Sequence, residues 1–291
     1  MKHTLNIVCA LNCEAKAIVD RYKLKKANDK PFSVFSGDAL LNETQITIQV
    51  LISGVGALNM ATSIGWLAAR QATDKSLLYP SADVWLNVGI AGHADLDVGK
   101  AFVVSRSSDL LSTRAFYPPQ VARRPVGLSP CLSLNAPSSD YPDDGGIDME
   151  ASAFFNAASR FSNAECIQAF KVVSDNPDNG LDDLDAKRIH QLILPHADAI
   201  EQFASALFDI QPKVQSHNEI QVNKTLAELL QDQHATHAQR TQLSSMMVQL
   251  GYMLTANDFA KFCDELGSYN ETKLVLSRLR SRIESITPSL A

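Results

Sequence analysis

Short apolar runs alternate with helix-like segments through the first 210 residues of the chain. Asn6–Leu11, Asp83–Val88 and Ile167–Val173 are mainly apolar runs that end at turn residues, which is typical of buried strands. Ala57–Gln71 and Asp148–Phe161 carry apolar residues at helical spacing. This alternation predicts an α/β fold with a mostly parallel central sheet flanked by helices. The other predicted elements are strands over Phe32–Phe35, Gln45–Ile52 and Ala101–Ser105, and helices over Cys13–Tyr22 and Asp183–Phe208.

Two segments depart from the alternation. Ser105–Gly146 is rich in Pro, Ser and Arg and has no clear period, so we interpret it as a long irregular segment. Beyond residue 212 the strand patterns stop, and apolar side chains such as Leu243, Met247 and Leu250 recur at helical spacing. We therefore expect an α/β domain over residues 1–212 and a helical C-terminal appendage over residues 213–291, whose role no motif identifies.

Composition and charge narrow the class of protein. The formal net charge of −6 argues against a nucleic-acid partner, because a negative surface repels a phosphate backbone. No run of 18 apolar residues occurs, so a membrane partner is not expected either. The five cysteines form no CxxC pair, and their odd number favours a reduced chain in the cytoplasm.

Neither a cofactor nor a metal ion is predicted. Gly54-Val55-Gly56 is not a dinucleotide fingerprint, because Asn59 stands where the third glycine would be. His234 and His237 lie three residues apart on a predicted helix. Two histidines without further ligands are more typical of a protein surface than of a metal site.

Three acidic residues occupy positions where chemistry is common in α/β folds. Asp175 ends an apolar strand, while Glu150 and Glu14 each lie at the start of a helix. The C-terminal ends of sheet strands and the adjacent helix starts are where such folds place their ligands. Taken singly, each residue is better explained as a helix-start or turn residue, so their combination and order carry the prediction.

Five motifs, in this order, resemble those of methylthioadenosine/adenosylhomocysteine nucleosidases and of purine and uridine phosphorylases. They are Ala10-Leu11-Asn12-Cys13-Glu14-Ala15, Ser53-Gly54-Val55-Gly56, Asn87-Val88-Gly89-Ile90-Ala91-Gly92, Asp148-Met149-Glu150-Ala151 and Phe170-Lys171-Val172-Val173-Ser174-Asp175. The resemblance covers roughly residues 5–210. It implies a nucleoside phosphorylase-like fold and cleavage of the N-glycosidic bond of a nucleoside, with a purine nucleoside as the expected substrate.

The resemblance also implies roles for individual residues. Asp175 would be the general acid that protonates the departing base, and Ser174 would orient it. An aspartate in this role must be kept protonated by burial or by hydrogen bonding of its acid form. Glu150 would accept hydrogen bonds from two ribose hydroxyls, with Met149 packed against the sugar. Glu14 would orient the attacking water.

The nucleophile pocket would be lined by backbone amides near Gly54 and Gly89, and by Ile90. The chain departs from the family pattern here, since nucleosidases usually carry a serine at the position of Ile90, which makes this pocket drier. Lys171 stands where an arginine is common. The segment between Ser105 and Asp148 is too short for the usual helix, and 134–138 is a candidate for the wall that contacts the base.

Two rival functions stay open at this point. A phosphorylase would need anion contacts, for which Arg114, Arg123 and Arg124 are candidates, whereas Glu14 and the missing N-terminal phosphate loop favour water as the co-substrate. A nucleoside-binding protein that kept the fold without catalysis is the other alternative, since Ile90 and the shortened middle depart from the enzymes. The relatives also make a homo-oligomer, with a dimer favoured, the expected assembly.

Overall fold

The structure is a computed structural model of the chain. It describes residues 3–41, 44–71, 83–110, 115–142, 144–181, 184–210, 219–232, 235–269 and 271–286. These residues divide into two compact units, an α/β unit up to residue 210 and a helical unit from residue 219. The predicted domain boundary at residue 212 lies outside the described residues. None of the described helices is long and apolar enough to span a membrane.

The α/β unit is built on a sheet of ten described strands. They are β1 (His3–Cys9), β2 (Lys25–Asn28), β3 (Ser33–Leu41), β4 (Thr44–Ile52), β5 (Val84–His93), β6 (Ala101–Asp109), β7 (Ala115–Phe116), β8 (Gly127–Ser133), β9 (Gly146–Asp148) and β10 (Ile167–Asp175). The predicted buried strands are present, and the second one, predicted over Asp83–Val88, runs on through Gly89–Gly92 to His93.

The sheet is mixed, so the prediction of a mostly parallel sheet is wrong. Parallel pairs join β1 to β4 and β5, β10 to β5, and β8 to β6 and β9. Antiparallel pairs join β3 to β2 and β4, β6 to β7 and β10, and β5 to β9. The strands β5, β10, β6, β8 and β9 pair in a closed ring. Only residues 94–100 separate β5 from β6, too few for the crossover that parallel strands need, so β6 runs antiparallel to β5 and to its neighbour β10.

The prediction that Ser105–Gly146 is irregular is also wrong in part. This segment contains β7, β8 and the last residues of β6, which ends at Asp109. β8 reads Gly-Leu-Ser-Pro-Cys-Leu-Ser, and its Pro130 lies where the register with β6 shifts between Val104 and Arg106. Proline is tolerated in sheets mainly at edges and bulges. The irregular register therefore accommodates the residue that hid this strand in the sequence.

Five helices of the α/β unit pack on the sheet. They are α1 (Asn12–Arg21), α2 (Ala57–Gln71), α3 (Ala151–Ala158), α4 (Ala186–Ile193) and α5 (Ala197–Phe208), with a 3-10 turn over Leu194–His196 between the last two. The core lies on both faces of the sheet. One cluster holds Ile18, Ile193 and Phe203 from α1, α4 and α5, and the other holds Met60 and Phe154 from α2 and α3. The strands between them are buried on both sides, as their apolar sequences predict.

The helical unit contains four described helices. They are α6 (Glu219–Asp232), α7 (His237–Met253), α8 (Ala256–Leu266) and α9 (Thr272–Ile286). Their apolar stripes meet in one cluster that includes Leu226, Met247, Phe259 and Leu279. Isolated helices of this length are marginally stable, so this shared core is what stabilises them. That the unit is an appendage without a catalytic role stays a prediction.

Two leucines of α9, one buried and one exposed, allow a test of whether this shared core stabilises the helical unit. Leu279 is 0% exposed and Leu274 is 50% exposed. We expect Leu279→Ala to lower the free energy of unfolding of the helical unit by about 2–5 kcal/mol, because it removes buried methyl groups and leaves a cavity. Leu274→Ala should change it by less than about 1 kcal/mol. Urea titration followed by far-ultraviolet circular dichroism measures both, and equal losses would contradict the described packing.

Candidate active site

One pocket of the α/β unit collects the acidic residues predicted from the sequence. Its lining includes Glu14, Glu150 and Asp175, together with Met149, Ser174 and Ile90. Leu134, Ala136, Pro137 and Ser138 form part of the wall, from the segment that the sequence analysis assigned to base binding. The structure thus brings the three carboxyl groups to one cavity, while their catalytic roles stay predictions.

The sheet topology explains why distant residues meet here. β1, β5 and β10 are parallel neighbours and end at the same edge of the sheet. β1 leads into Glu14 on α1, β5 carries Ile90 and Gly92 near its end, and β10 ends with Ser174 and Asp175. The carboxyl ends of parallel strands are where open α/β sheets bind ligands.

Glu14 is buried and held by two backbone amides. The amide of Leu11 donates to its Oε2 at 2.8 Å, and the amide of Ile90 donates to its Oε1 at 3.0 Å. Burial raises the pKa of Glu14 to about 7, although the nearby Lys171 and the two amides favour the ionised form. Glu14 can therefore exchange a proton near neutral pH, which suits a group that handles water.

Gly89 allows this placement of Glu14. A Cβ atom on residue 89 would lie 2.8 Å from Oε1 of Glu14 and 3.6 Å from Nζ of Lys171. Gly89 does not line the pocket, and neither does Gly54, whose amide donates to the carbonyl of Ala10 at 3.1 Å. Of the three predicted nucleophile-pocket positions, only Ile90 is in the lining, and its amide is already bound to Glu14.

A buried ion pair lies beside these carboxyl groups. Nζ of Lys171 is 2.7 Å from Oδ2 of Asp148, and both side chains are 1% exposed. Burial lowers the pKa of Lys171, but the carboxylates of Asp148 and Glu150 raise it by more, so the ammonium group stays charged. Asp148 also accepts from the Ser133 hydroxyl at 2.6 Å and from the Ala151 amide at 2.8 Å. These hydrogen bonds give the buried oxygens of Asp148 partners in place of water.

Glu150 precedes the first residue of α3. Its Oε1 accepts from the amide of Gly56 at 2.6 Å. Gly56 has a φ of +96°, a left-handed conformation that favours glycine, and this turn aims its amide at the carboxylate. Burial raises the pKa of Glu150, while Lys171 opposes that shift. A carboxylate offers about four lone-pair sites, so the bond to Gly56 leaves Glu150 able to accept from ligand hydroxyl groups.

The carboxyl group of Asp175 accepts hydrogen bonds from two hydroxyl groups. Ser174 donates to its Oδ1, and Tyr141 donates to its Oδ2 at 2.6 Å. Burial and the bond to Asp175 raise the pKa of Tyr141 well above its usual range, so the phenol keeps its proton and is the donor. Asp175 is 3% exposed. The predicted partner Ser174 is thus in contact with the carboxyl group, and Tyr141 is a partner that the sequence analysis missed.

The missed residues lie where the sequence pattern is weakest. Tyr141 belongs to the Pro- and Ser-rich segment between β8 and β9, where nothing distinguishes one polar residue from another. Leu181 and Leu184 line the pocket from the segment after β10. Asp148 is adjacent in sequence to the predicted Met149 and Glu150, and this adjacency could have identified it as a residue of the site.

The phosphorylase and metal-site candidates fall elsewhere. Arg123 and Arg124 are exposed and do not line the pocket, and Arg114 lies outside the described residues. His234 also lies outside the described residues, as does the side chain of His237. Within the described part of the chain, no group of three or more His, Cys, Asp or Glu side chains is arranged to hold a metal ion.

The raised pKa of Glu14 predicts a pH-dependent stability difference. Below about pH 4.5 the carboxyl group is protonated in both the folded and the unfolded chain. Between pH 4.5 and about 7 the unfolded chain loses this proton first, so the wild type loses stability as the pH rises. Glu14→Gln lacks this titration. We expect its free energy of unfolding, relative to the wild type, to increase over this window by up to roughly 3 kcal/mol.

Urea unfolding of both proteins at pH 4.5 and at pH 7.5 measures this change. Asp97→Asn is the control, because Asp97 is an exposed acidic residue of the same unit. A wild-type-to-variant difference that is the same at both pH values would show that burial does not perturb Glu14.

Comparison with known proteins gives a likeness of structure only. No protein-family model matches the chain, and no curated protein matches it in sequence. Among solved structures, the methylthioadenosine/adenosylhomocysteine nucleosidase of Neisseria meningitidis, solved with methylthio-immucillin-A, is similar with a TM-score of 0.52 and 14% identity. The alignment covers 70% of this chain and 98% of that one.

Two further nucleosidases are similar to this chain in structure. The Streptococcus pneumoniae enzyme, solved with 8-aminoadenine, has a TM-score of 0.55 and 15% identity, over 71% of this chain and 100% of its own. The 5′-methylthioadenosine nucleosidase of Arabidopsis thaliana has a TM-score of 0.51 and 17% identity, over 74% of this chain and 98% of its own. At these identities the likeness is one of fold, and the resemblance predicted from the motifs is confirmed at that level: the chain contains a unit with the fold of the methylthioadenosine/adenosylhomocysteine nucleosidases.

Proposed function

We propose that the protein cleaves the N-glycosidic bond of a nucleoside with water, releasing the base and the free sugar. The observation that carries this proposal is the meeting of Asp175, Glu150 and Glu14 in one pocket. Such a reaction needs a proton for the departing base, acceptors for the sugar hydroxyls and a group that orients the nucleophile. Carboxyl groups suit all three tasks, and the fold is that of enzymes named for this chemistry.

In this mechanism Asp175 supplies the proton. As the bond between the sugar carbon and the base nitrogen lengthens, its electron pair stays with the base, and the proton of Asp175 neutralises the charge that develops there. Ser174 fixes one oxygen of the carboxyl group. Since Asp175 lines the pocket and is 3% exposed, the transfer takes place away from bulk water.

Glu150 and Met149 would hold the sugar. The negative charge of Glu150 makes hydrogen bonds from hydroxyl groups stronger than a neutral acceptor would. It also stabilises the positive charge that the sugar acquires in the transition state, because the attraction is strong in a water-poor site. Met149 is half-buried in the pocket lining and offers an apolar surface to the ring.

Glu14 would activate the water. Its two oxygens are fixed by the amides of Leu11 and Ile90, so a water bound to a remaining lone pair has a defined position. The water oxygen forms the new bond to the sugar carbon, and its proton passes to Glu14. A pKa of about 7 allows Glu14 to accept this proton and release it again near neutral pH. Nucleosidases usually carry a serine at the position of Ile90. The isoleucine still provides the backbone amide that binds Glu14.

The charge of the pocket favours water over phosphate as the co-substrate. Among the described residues that line it, the ionisable side chains are all carboxylic acids, namely Glu14, Asp148, Glu150 and Asp175, of which Asp175 holds its proton in the proposed mechanism. The nearby cation, Lys171, is already paired with Asp148. A phosphate dianion entering this site would meet repulsion that a neutral water does not.

A purine nucleoside is the proposed substrate class. The structures similar to this chain include nucleosidases solved with adenine and with 8-aminoadenine. In this chain the wall over 134–138 adds Leu134, Ala136 and Pro137, which offer apolar surface to a flat base. The homodimer and the cytoplasmic location stay predictions.

Replacing the proposed acid tests the mechanism. We expect Asp175→Asn to lower kcat about 10²–10⁴-fold, because the amide has the same shape but cannot donate a carboxylic proton. The measurement is base release from a panel of purine nucleosides, followed by chromatography. Asp178→Asn, an exposed position three residues further along the chain, is the matched control and should keep wild-type turnover. Near-wild-type release by Asp175→Asn would remove Asp175 from the mechanism.

Phosphate dependence separates hydrolysis from phosphorolysis. We expect the wild-type rate of base release to be the same with and without inorganic phosphate, and the sugar product to be the free sugar, because the pocket lining is acidic. A strict phosphate requirement with a sugar 1-phosphate as product would establish a phosphorylase. Nucleoside binding by calorimetry without any base release would establish a binding protein that retains the fold.

A further inference from the structure

Tyr141 is the residue of this site that the proposed mechanism leaves without a task. It lies between β8 and β9, on the segment that also supplies Leu134, Ala136 and Pro137 to the pocket wall. Its hydroxyl donates to Oδ2 of Asp175 at 2.6 Å. Tyr141 itself is not part of the pocket lining.

Gly92 makes this contact possible. It lies on β5 and pairs with Asp175 on β10 and with Ile147 on β9. A Cβ atom on residue 92 would lie 2.5 Å from Oδ2 of Asp175 and 2.9 Å from Cε1 of Tyr141. Both side chains therefore pack over a backbone position that has room for no side chain. The tyrosine ring thus packs on β5 beside the carboxyl group to which its hydroxyl donates.

We propose that Tyr141 is a positioning residue for Asp175, holding the carboxyl group at the pocket in the orientation from which it protonates the base. The inference rests on the proposed role of Asp175 as the acid. Ser174 bonds one oxygen of the carboxyl group and Tyr141 bonds the other, so the plane of the group is fixed. A misplacement of a reacting group by about 1 Å can lower a rate about 10²-fold.

Removing the Tyr141 hydroxyl should affect the chemical step. Substrate binding is assigned to Glu150, Met149 and the wall over 134–138. An acid that is held less firmly transfers its proton less often, so kcat falls while KM stays the same.

The other titratable groups around Asp175 keep their own contacts in this comparison. His93 follows Gly92 on β5, and its Nδ1 accepts from the amides of Asp95 and Leu96. The remaining ones in or beside the pocket are Glu14 on α1, Asp148 on β9, Glu150 before α3 and Lys171 on β10. None of them is bonded to the Tyr141 hydroxyl in the described structure, so Tyr141→Phe leaves their contacts unchanged.

The first test separates kcat from KM for base release. For Tyr141→Phe we expect kcat to fall about 10–100-fold, while KM stays unchanged. Tyr117→Phe, the same substitution at a side chain that is 68% exposed, is the matched control and should leave both constants unchanged. An unchanged kcat, or a fall in kcat that comes with weaker substrate binding, would overturn the proposal.

The second test does not depend on activity. The carboxyl carbon of Asp175 is observed by ¹³C NMR in protein labelled at the aspartate carboxyl groups, and its signal is identified by its absence in Asp175→Asn. At one fixed pH we expect its chemical shift to move in Tyr141→Phe, because the carboxyl group loses a hydrogen bond, and to stay unchanged in Tyr117→Phe. An unmoved chemical shift overturns the proposal. A moved chemical shift in a protein that releases no base supports the contact between Tyr141 and Asp175 and refutes the proposed hydrolysis instead.

Discussion

The buried pair of Lys171 and Asp148 is the interaction on which the candidate site depends. It brings a single positive charge among carboxyl groups that are otherwise surrounded by apolar strands. Burying an ion pair gives little net stability, but removing one partner costs about 3–5 kcal/mol because the other charge is left unpaired. Without the ammonium group, Glu14 and Glu150 would lose the charge that opposes their protonation. The pair therefore sets the electrostatics of the pocket more than the stability of the fold.

The sheet places this pair and the pocket in the same region. β10 carries Lys171 and Asp175 four residues apart, so side chains of the same strand reach both the ion pair and the proposed acid. The register of β10 with β5 shifts between Val173 and Asp175, next to Gly92. Such a bulge re-aims the side chains that follow it, which is a common device beside active sites. Antiparallel β9 then closes the ring of strands and delivers Asp148 to Lys171.

Sequence patterns predicted the parts of this structure that rest on local chemistry. The bounds of α2 agree with the predicted Ala57–Gln71, and β10 was recognisable because its apolar run ends in Ser-Asp. The strand β8, on which the closed ring depends, was not predictable, since its Pro130 argues against a strand and is accommodated where the register with β6 is irregular. Tyr141 was not predictable either. Its role depends on the absence of a side chain at Gly92, about fifty residues away in sequence, and no local pattern encodes that contact.

A lysine rather than an arginine at position 171 determines how the site handles charge. An arginine guanidinium presents several donors in a rigid fork and can bind two acceptors at once, or an incoming phosphate. The ammonium group of Lys171 is a compact charge, and Asp148 holds it at 2.7 Å. It can influence Glu14 and Glu150 through space without offering a planar surface to an anion. A site that balances its carboxylates with a point charge already paired to Asp148 is suited to a neutral nucleophile, which supports the proposal that water is the co-substrate.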